Sequence, residues 1–150
     1  IERLMDTTKQ PGIQISQVIL LGARFAHRDD VFSLLPTTRV ENLPIKIEVK
    51  VAGKVGDPGS VIRLRAFTEE NPEALYRIDV EVAALIERVS GEENLDPFEY
   101  ARDMGPVAFF PFLREAIANV TMRGRFGPVW LKPYNFVAAP PTVEVGSKPD

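Results

Sequence analysis

LPIKIEVKV, residues 43–51, alternates apolar and charged side chains with a period of two. Leucine, isoleucine and valine occupy the odd positions, and Lys46, Glu48 and Lys50 lie between them. Because successive side chains of a strand point to opposite faces, this pattern predicts a strand with one buried and one solvated face. Such a strand is typical of an antiparallel sheet that is covered on one side only.

Two further strands follow at short intervals. Gly56–Gly59 has the composition of a tight turn, and Val61–Phe67 returns as a second strand. After another turn at Asn71–Pro72, Leu75–Val89 again alternates apolar residues with charged ones. Three consecutive strands joined by short turns predict an antiparallel meander.

One more strand precedes the meander. Ile13–Phe25 alternates with period two, but Gln17 interrupts its apolar face while Val18 and Leu20 make the other face apolar as well. This irregularity predicts a β-bulge or burial on both faces. A long crossover, Ala26–Asn42, then separates this strand from the meander.

The apolar period changes to that of a helix near residue 109. The stripe at helical spacing consists of Phe109, Phe110, Leu113, Ile117 and Val120. Pro111 suits a first helical turn, so the helix begins or is kinked there, and Gly124 is a suitable stop. The stripe is broader than one helix on a four-stranded sheet requires. Two interpretations stay open: plain core packing, or an oligomer interface formed by these five residues.

Together these elements predict an α+β fold. It has a four-stranded antiparallel sheet, a long crossover after strand one and one long helix packed on the sheet. The 150 residues are the size of one domain, which we expect over residues 13–136. We expect a flexible N-terminal segment over 1–12 and a loose tail over 137–150, where Pro140–Pro141 disfavours a second helix.

Composition excludes several classes of function. The chain has no cysteine and one histidine, so thiolate sites and multi-histidine metal centres lack ligands. His27 lies among charged residues of the crossover, where we expect it to be exposed and not catalytic. With a net charge of −3, a general nucleic-acid binder is not expected. The prediction is a protein that is not an enzyme and binds no cofactor or metal.

Acidic side chains concentrate in residues 69–103, which contain 11 acidic and 3 basic residues. The remainder of the chain is therefore net basic. Two interpretations stay open for this acidic stretch: a solvated sheet face with a loop, or a docking surface for a basic partner.

The sequence contains no stretch of about 18 apolar residues, so a membrane-spanning helix is not expected. Residues 1–10 lack the apolar core of a signal peptide. The expected location is the cytoplasm.

The distribution of aromatic residues is the positive functional signal. Nine of the 13 aromatic residues lie in residues 98–136, accompanied by prolines after the helix. Aromatic rings offer a large contact area at a low entropic cost, and prolines stiffen the loops that hold them. The pattern predicts a groove for extended apolar peptides, with part of the rings in the core.

One ordered set of motifs resembles a known family. Phe109–Glu115, with the sequence FFPFLRE, is similar to the helix motif of the SecB protein-export chaperones. Gly124–Phe126, Leu131, Pro133 and Asn135–Phe136 follow in the order of that family's next motifs. The four strands and the long first crossover also match, so the resemblance covers residues 13–136.

The resemblance implies a homotetramer, built as a dimer of dimers with the long helices between the sheets. It also implies ATP-independent binding of non-native polypeptides in grooves formed by the crossover and by the segment after the helix. The positions expected to contact such a client are Phe32, Leu34, Leu35, Ile45, Ile47, Trp130 and Phe136.

A SecA-type motor is the partner that the resemblance implies for an acidic face on strands one and four. On strand one this chain has Gly22 and Ala26 where the family carries acids, with Arg24 between them. On strand four it retains Asp79, although Arg77 replaces an apolar neighbour. Asp79 is therefore the one candidate for motor docking, and docking is less expected than client binding.

Three functional hypotheses follow. The leading one is a SecB-like holdase for protein export, and its variant is a SecB-like chaperone dedicated to a toxin–antitoxin client. The second is a carrier of a small apolar ligand on the same scaffold. The third is a structural assembly subunit that binds neither clients nor ligands.

Overall fold

The computed structural model describes residues 12–35, 37–40, 43–89, 95–136 and 145–146, with the side chains of all but the last two. Four long strands form an antiparallel sheet in the order β1-β4-β3-β2. These strands are β1 (Ile13–His27), β2 (Ile45–Ala52), β3 (Gly59–Thr68) and β4 (Tyr76–Arg88). The predicted meander is confirmed, because β2, β3 and β4 are neighbours in the sheet and β1 pairs with β4.

The alternation in β2 and β4 separates the two faces of the sheet as predicted. Val49, Val51 and Val80 are at most 1% exposed and face the helices, whereas Lys50 on the outer face is exposed. Turn geometry closes the β2–β3 connection, since Gly53 and Gly56 have φ angles of 122° and 94°. Those values are available to glycine at little cost.

Strand β1 contains the predicted irregularity. Its pairing with β4 shifts register between Ile15 and Gln17 and again between Leu20 and Gly22. Each shift is a bulge that leaves one residue without a cross-strand partner and re-aims the side chains that follow. The sequence prediction of a bulge at Gln17 is therefore confirmed. Burial on both faces is not observed, because Leu20 and Leu21 are 53% and 43% exposed.

Two helices cover one face of the sheet. The short helix α1 (Pro97–Asp103) was not predicted; it begins at the N-cap Asp96, whose Oδ2 accepts the N–H of Glu99 at 3.0 Å. The long helix α2 (Gly105–Thr121) begins six residues before Pro111. Of the two predictions for Pro111, a helix start or a kink, the start is wrong, because the proline lies inside the helix.

The predicted oligomer interface on α2 needs a correction. The side chains of Phe109, Leu113 and Ile117 are at most 1% exposed, and that of Phe110 is 9% exposed. All four belong to the core between α2 and the sheet of the same protomer, and Val120 packs partly buried against it. They fill the protomer's own core, which leaves little of their surface for contacts with a second copy. The apolar side chains that α2 and its ends expose are different: Met104, Val107, Phe112 and Met122.

The C-terminal tail contributes a fifth strand. β5 (Val145–Gly146) pairs in parallel with Val51 and Ala52 at the edge of β2. The sheet is thus one short strand wider than predicted, because the edge of β2 offers backbone groups that an extended segment can pair with. Residues 1–11, 137–144 and 147–150 lie outside the described residues, and so does the doubtful second helix after Asn135–Phe136.

Candidate functional site

The segment that follows α2 is held against the sheet by Tyr76. The Tyr76 hydroxyl accepts the N–H of Phe126 at 2.9 Å and donates to the carbonyl of Gly127 at 2.9 Å. Burial raises the pKa of this phenol, so the hydroxyl keeps its proton and can act as both acceptor and donor. The segment therefore leaves the helix in one defined direction.

His27 and Arg125 link this segment to β1 and to the crossover. Nε2 of His27 accepts the backbone N–H of Arg125 at 3.0 Å, and the Arg125 guanidinium donates to the carbonyl of Leu34 at 3.0 Å. The same guanidinium lies 5.6 Å from the ring centre of Phe32. The expectation that His27 is exposed in a loop is wrong: it is the last residue of β1 and half-buried beside Phe25.

A first apolar hollow lies between α2 and the segment after it. This helix-side hollow, of about 360 Å³, is lined by Phe110, Trp130, Tyr134 and Phe136 among others. The rings of Phe110 and Phe136 meet edge to face with centres 5.7 Å apart. The Arg114 guanidinium lies 5.6 Å from the centre of the Trp130 ring, at a distance suited to a cation–π contact.

A second hollow lies on the other side of the same segment. This strand-side hollow, of about 610 Å³, has Ile45 and Ile47 of β2 together with Val40 and Leu43 on one wall. Val129–Tyr134 forms the opposite wall. Trp130, Pro133 and Tyr134 line both hollows, so the two adjoin at these residues.

The residues predicted to contact a client fall into two groups. Ile45, Ile47, Trp130 and Phe136 line one or both hollows. Phe32, Leu34 and Leu35 line neither of these two hollows; Phe32 and Leu35 are 87% and 72% exposed on the crossover. The structure thus does not gather all seven positions in one groove.

Several residues of the site were missed by the sequence prediction. Tyr134, Leu43 and Val40 line the hollows, and Tyr76 and Arg125 position the segment that forms one wall. Tyr134 could have been found, because it stands in the aromatic and proline segment. Tyr76 could not have been found in this way, because the sequence pattern at the start of β4 identifies it only as a residue of a strand.

The outer face of the sheet contains Asp79, the candidate for motor docking. Arg65 donates to both carboxylate oxygens of Asp79, at 2.9 and 2.7 Å. These hydrogen bonds hold the pKa of Asp79 below its ordinary value against partial desolvation, and the charges of Arg65 and Arg24 lower it further. A basic partner would have to compete with Arg65 for this carboxylate.

We expect Asp79→Asn to make the stability less dependent on pH in acid. The Asp79 carboxyl has a lower pKa in the folded protein than in the unfolded chain, so its pairing with Arg65 stabilises the fold above about pH 4. This stabilisation is lost as the pH falls through the pKa of Asp79 in the folded protein. The pair is more than one third exposed, so the contribution is at most about 1 kcal/mol. Urea unfolding at several pH values between neutral and acidic measures how the free energy of unfolding of each variant depends on pH. Glu70→Gln is the control, and an equal effect of the two variants would contradict the assignment.

In the acidic stretch over residues 69–103, five of the nine acidic residues that the structure describes form ion pairs with cations. Glu81 accepts from Arg63 at 2.6 Å, and Asp96 contacts Arg88 at 3.1 Å while it caps α1. Lys46 and Glu69 also form an ion pair. This pairing favours the solvated-face interpretation over a surface that docks a basic partner. Within the described part of the chain, no group of three or more His, Asp or Glu residues could hold a metal ion.

None of the helices that the structure describes is both long and apolar enough to cross a bilayer.

The fold and the hollows define a class of protein that exposes aromatic side chains in surface hollows on an α+β scaffold. A family model described as preprotein translocase subunit SecB matches residues 38–139. The protein-export protein SecB of Bartonella quintana is 28% identical over 109 residues, which are 71% of this chain and 67% of that protein. The protein of the same name from Nitrobacter hamburgensis is 30% identical over 107 residues, 70% of this chain and 66% of that protein.

A solved structure has the same fold. The SecB-like chaperone of Mycobacterium tuberculosis, in complex with a ChAD peptide from the HigA1 antitoxin, superposes with a TM-score of 0.57 at 24% identity. The match covers 82% of this chain and 88% of that chain. The chain belongs to the SecB family of chaperones. It spans about two thirds of the length of the export proteins that it matches.

Proposed function

We propose that this protein is an ATP-independent holdase that binds unfolded polypeptides for export from the cytoplasm. The observation that carries the proposal is the pair of hollows that adjoin at Trp130, a residue that is 60% exposed although it lines both of them. An exposed tryptophan in such a place is typical of a binding surface. Membership of the SecB family supports the polypeptide as the ligand.

Weak binding at many sites would become tight in an oligomer. We propose a homotetramer, a dimer of dimers, in which each client contacts several copies and gains avidity. The exposed side of α2 and its flanks supports this, since Met104, Val107, Phe112 and Met122 form apolar surface that the protomer leaves uncovered. These side chains replace the buried ones that the sequence pattern assigned to the interface.

Two kinds of client remain within the proposal. The names of the matched relatives favour protein export, while the complex of the Mycobacterium tuberculosis chaperone with an antitoxin peptide supports a dedicated toxin–antitoxin client as the alternative. Docking to a SecA-type motor through Asp79 is disfavoured, because Arg65 already occupies its carboxylate. Pull-down of purified SecA with and without Asp79→Asn distinguishes motor docking from its absence.

We expect Trp130→Ala to raise the Kd for an unfolded client by about tenfold, because the ring contributes to both hollows. Phe32→Ala should have a smaller effect, since Phe32 lies outside both hollows. Fluorescence anisotropy with a labelled unfolded protein gives the Kd, and suppression of its aggregation without nucleotide gives the activity.

Val55→Ala is the matched control for these variants. Val55 is 58% exposed on the β2–β3 turn and lines neither hollow, so its loss should change neither readout. An unchanged Kd for Trp130→Ala with the fold intact would contradict the proposed site. Unchanged client aggregation at excess wild-type protein would contradict the holdase activity itself.

A small apolar-ligand carrier is the second candidate function. The helix-side hollow of about 360 Å³ is of the size that small ligands occupy, and its walls are mainly apolar. Native mass spectrometry separates the two candidates, because a carrier retains a stoichiometric small molecule and a holdase does not.

A further inference from the structure

His27 makes a contact that only a neutral imidazole can make. Its Nε2 accepts the backbone N–H of Arg125 at 3.0 Å, so Nε2 bears a lone pair and the ring proton lies on Nδ1. A protonated imidazole has no acceptor, because both of its nitrogens donate. Protonation of His27 would therefore set two donors against each other and break the hydrogen bond to Arg125.

Protonation would also add a positive charge to a residue pair that already carries one. The half-buried Arg125 donates from its guanidinium to the carbonyl of Leu34, while its Nε is buried without a hydrogen-bond partner. In the part of the chain that the structure describes, no carboxylate forms an ion pair with His27 or Arg125. An imidazolium at His27 would thus lack a counter-charge.

The other ionisable groups around His27 are engaged or positive. The Tyr76 ring of β4 lies 5.4 Å from the His27 ring, and its hydroxyl is bound to the segment after α2. Arg123, two residues before Arg125, is exposed and adds a further positive charge. The charged side chains that follow His27 in the crossover are paired: Arg28 with Asp30, and Asp29 with Arg77 of β4.

His27 is one of three side chains that hold the start of the segment after α2. The other two are Tyr76 and Thr121, whose hydroxyl oxygens accept backbone N–H groups of that segment. These N–H groups belong to Phe126, at 2.9 Å, and Val129, at 2.8 Å. Of the three side chains, only an imidazole changes its charge between pH 5 and 8. The segment continues directly into the wall that the two hollows share.

We propose that His27 is a positioning residue of the client surface: the neutral imidazole holds Arg125 and the wall that follows it in the binding position, and protonation releases them. The inference rests on the proposed holdase function and adds a pH dependence to it. Arg125 also holds the crossover through the carbonyl of Leu34 and lies 5.6 Å from the ring centre of Phe32. Its release therefore loosens the crossover together with the segment after α2.

Client binding measured from about pH 7.5 to about pH 5.5 is the first test, since imidazoles titrate in this range. The protein is prepared without a histidine tag and the labelled unfolded client contains no histidine, so His27 is the only imidazole present. We expect the Kd of the client to rise about fivefold over this range, which corresponds to the loss of one hydrogen bond. Fluorescence anisotropy gives the Kd at each pH.

His27→Gln is the matched variant for this titration. The glutamine side-chain oxygen can accept the N–H of Arg125 as Nε2 of the imidazole does, but the amide has no titrating group. We expect the variant to bind the client as tightly as the wild type near neutral pH. Its Kd should then rise by less than about twofold toward acid, because the hydrogen bond to Arg125 does not depend on pH.

NMR of the wild-type protein observes His27 directly and needs no variant that folds. Because the chain has one histidine, every imidazole ¹⁵N signal belongs to His27. We expect the tautomer with its proton on Nδ1 near neutral pH, and an Arg125 amide signal that shifts along the same titration curve as the ring. A ring with its proton on Nε2, or an Arg125 amide that does not respond to the titration, would overturn the inference.

The outcomes separate this inference from the proposed function. If the wild type binds the client near neutral pH and its Kd changes with pH no more than that of His27→Gln, the positioning role is wrong and the holdase function stands. If His27→Gln does not fold, the wild-type Kd must follow the NMR titration curve of His27, and a different midpoint contradicts the role. If the wild type binds no unfolded client near neutral pH, the proposed holdase function fails, and the inference fails with it.

Discussion

Leu113→Ala lowers the free energy of unfolding by about 2–5 kcal/mol, which is the expected cost of removing a fully buried leucine from a packed core. Leu113 is 0% exposed between α2 and the sheet. Urea denaturation followed by circular dichroism measures the loss at fixed protein concentration, which matters because assembly also stabilises the fold.

Phe112→Ala is the control on the adjacent position of the same helix. Phe112 is 44% exposed, so its removal should cost less than about 1 kcal/mol in the protomer. If the exposed side of α2 forms the oligomer interface, Phe112→Ala instead lowers the mass found by light scattering. The opposite result is a Leu113→Ala protein that is stable but no longer assembles. It would place Leu113 in the oligomer interface and contradict its assignment to the core.

Gly124→Ala is expected to destabilise the fold by about 1–3 kcal/mol, because there is no space for a methyl group at this position. A Cβ on Gly124 would collide with the Tyr76 hydroxyl, lie 2.8 Å from Cζ of Tyr76 and lie 3.0 Å from Cζ of Phe25. Tyr76 cannot move away cheaply, since its hydroxyl makes two hydrogen bonds to the segment after α2. Thermal unfolding measures the change.

Gly22→Ala is the matched control, because nothing lies within 4 Å of a Cβ at that position in β1. A double-mutant cycle with Tyr76→Phe tests the cause. Removing the hydroxyl relieves part of the collision, so the cost of Gly124→Ala should be smaller in the Tyr76→Phe background. Equal costs in both backgrounds, or an equal cost for Gly22→Ala, would contradict the steric explanation.

The proposed binding surface depends on the packing of Gly124 against Tyr76, although neither residue lines a hollow. Tyr76 holds the start of the segment whose continuation, Val129–Tyr134, forms a wall of the strand-side hollow. We therefore expect Gly124→Ala to weaken client binding as well as stability. The hollow has one rigid wall, β2, and one wall whose position depends on the contacts made by Tyr76 and Arg125.

Much of the fold could be predicted because it follows from local periodicity. Residues 43–51 alternate strictly, and the side chains at their odd positions are the ones that face the core. The apolar stripe of the helix was also predicted, but the surface that it packs on was not. The sequence pattern around Leu113 is the same whether the helix packs on its own sheet or on a second copy. The sequence predicted that the helix begins or is kinked at Pro111, because a proline lacks the N–H that an interior position would use, and the structure places Pro111 inside α2.

The site was predictable only in part, for a different reason. Trp130 and Phe136 lie in the segment after the helix that is rich in aromatic residues and prolines, and only this composition identified them as candidate site residues. His27 and Arg125 are 98 residues apart, and no local pattern indicates that one accepts the N–H of the other. The position of Phe32 outside the hollows likewise depends on how the crossover packs, which periodicity does not encode.

The sequence by itself determined which residues form strands and a helix, which face of each is apolar, and membership of the SecB family through one ordered set of motifs. These properties depend on neighbours within a few residues, where side-chain period and turn chemistry act. Only the tertiary structure decided that Leu113 lies in the protomer's core, that Arg65 pairs with Asp79, and that Ile45 and Ile47 face Trp130 across a hollow. The physical reason is that each of these contacts joins distant parts of the chain, and packing and charge choose among partners that the local sequence leaves equivalent.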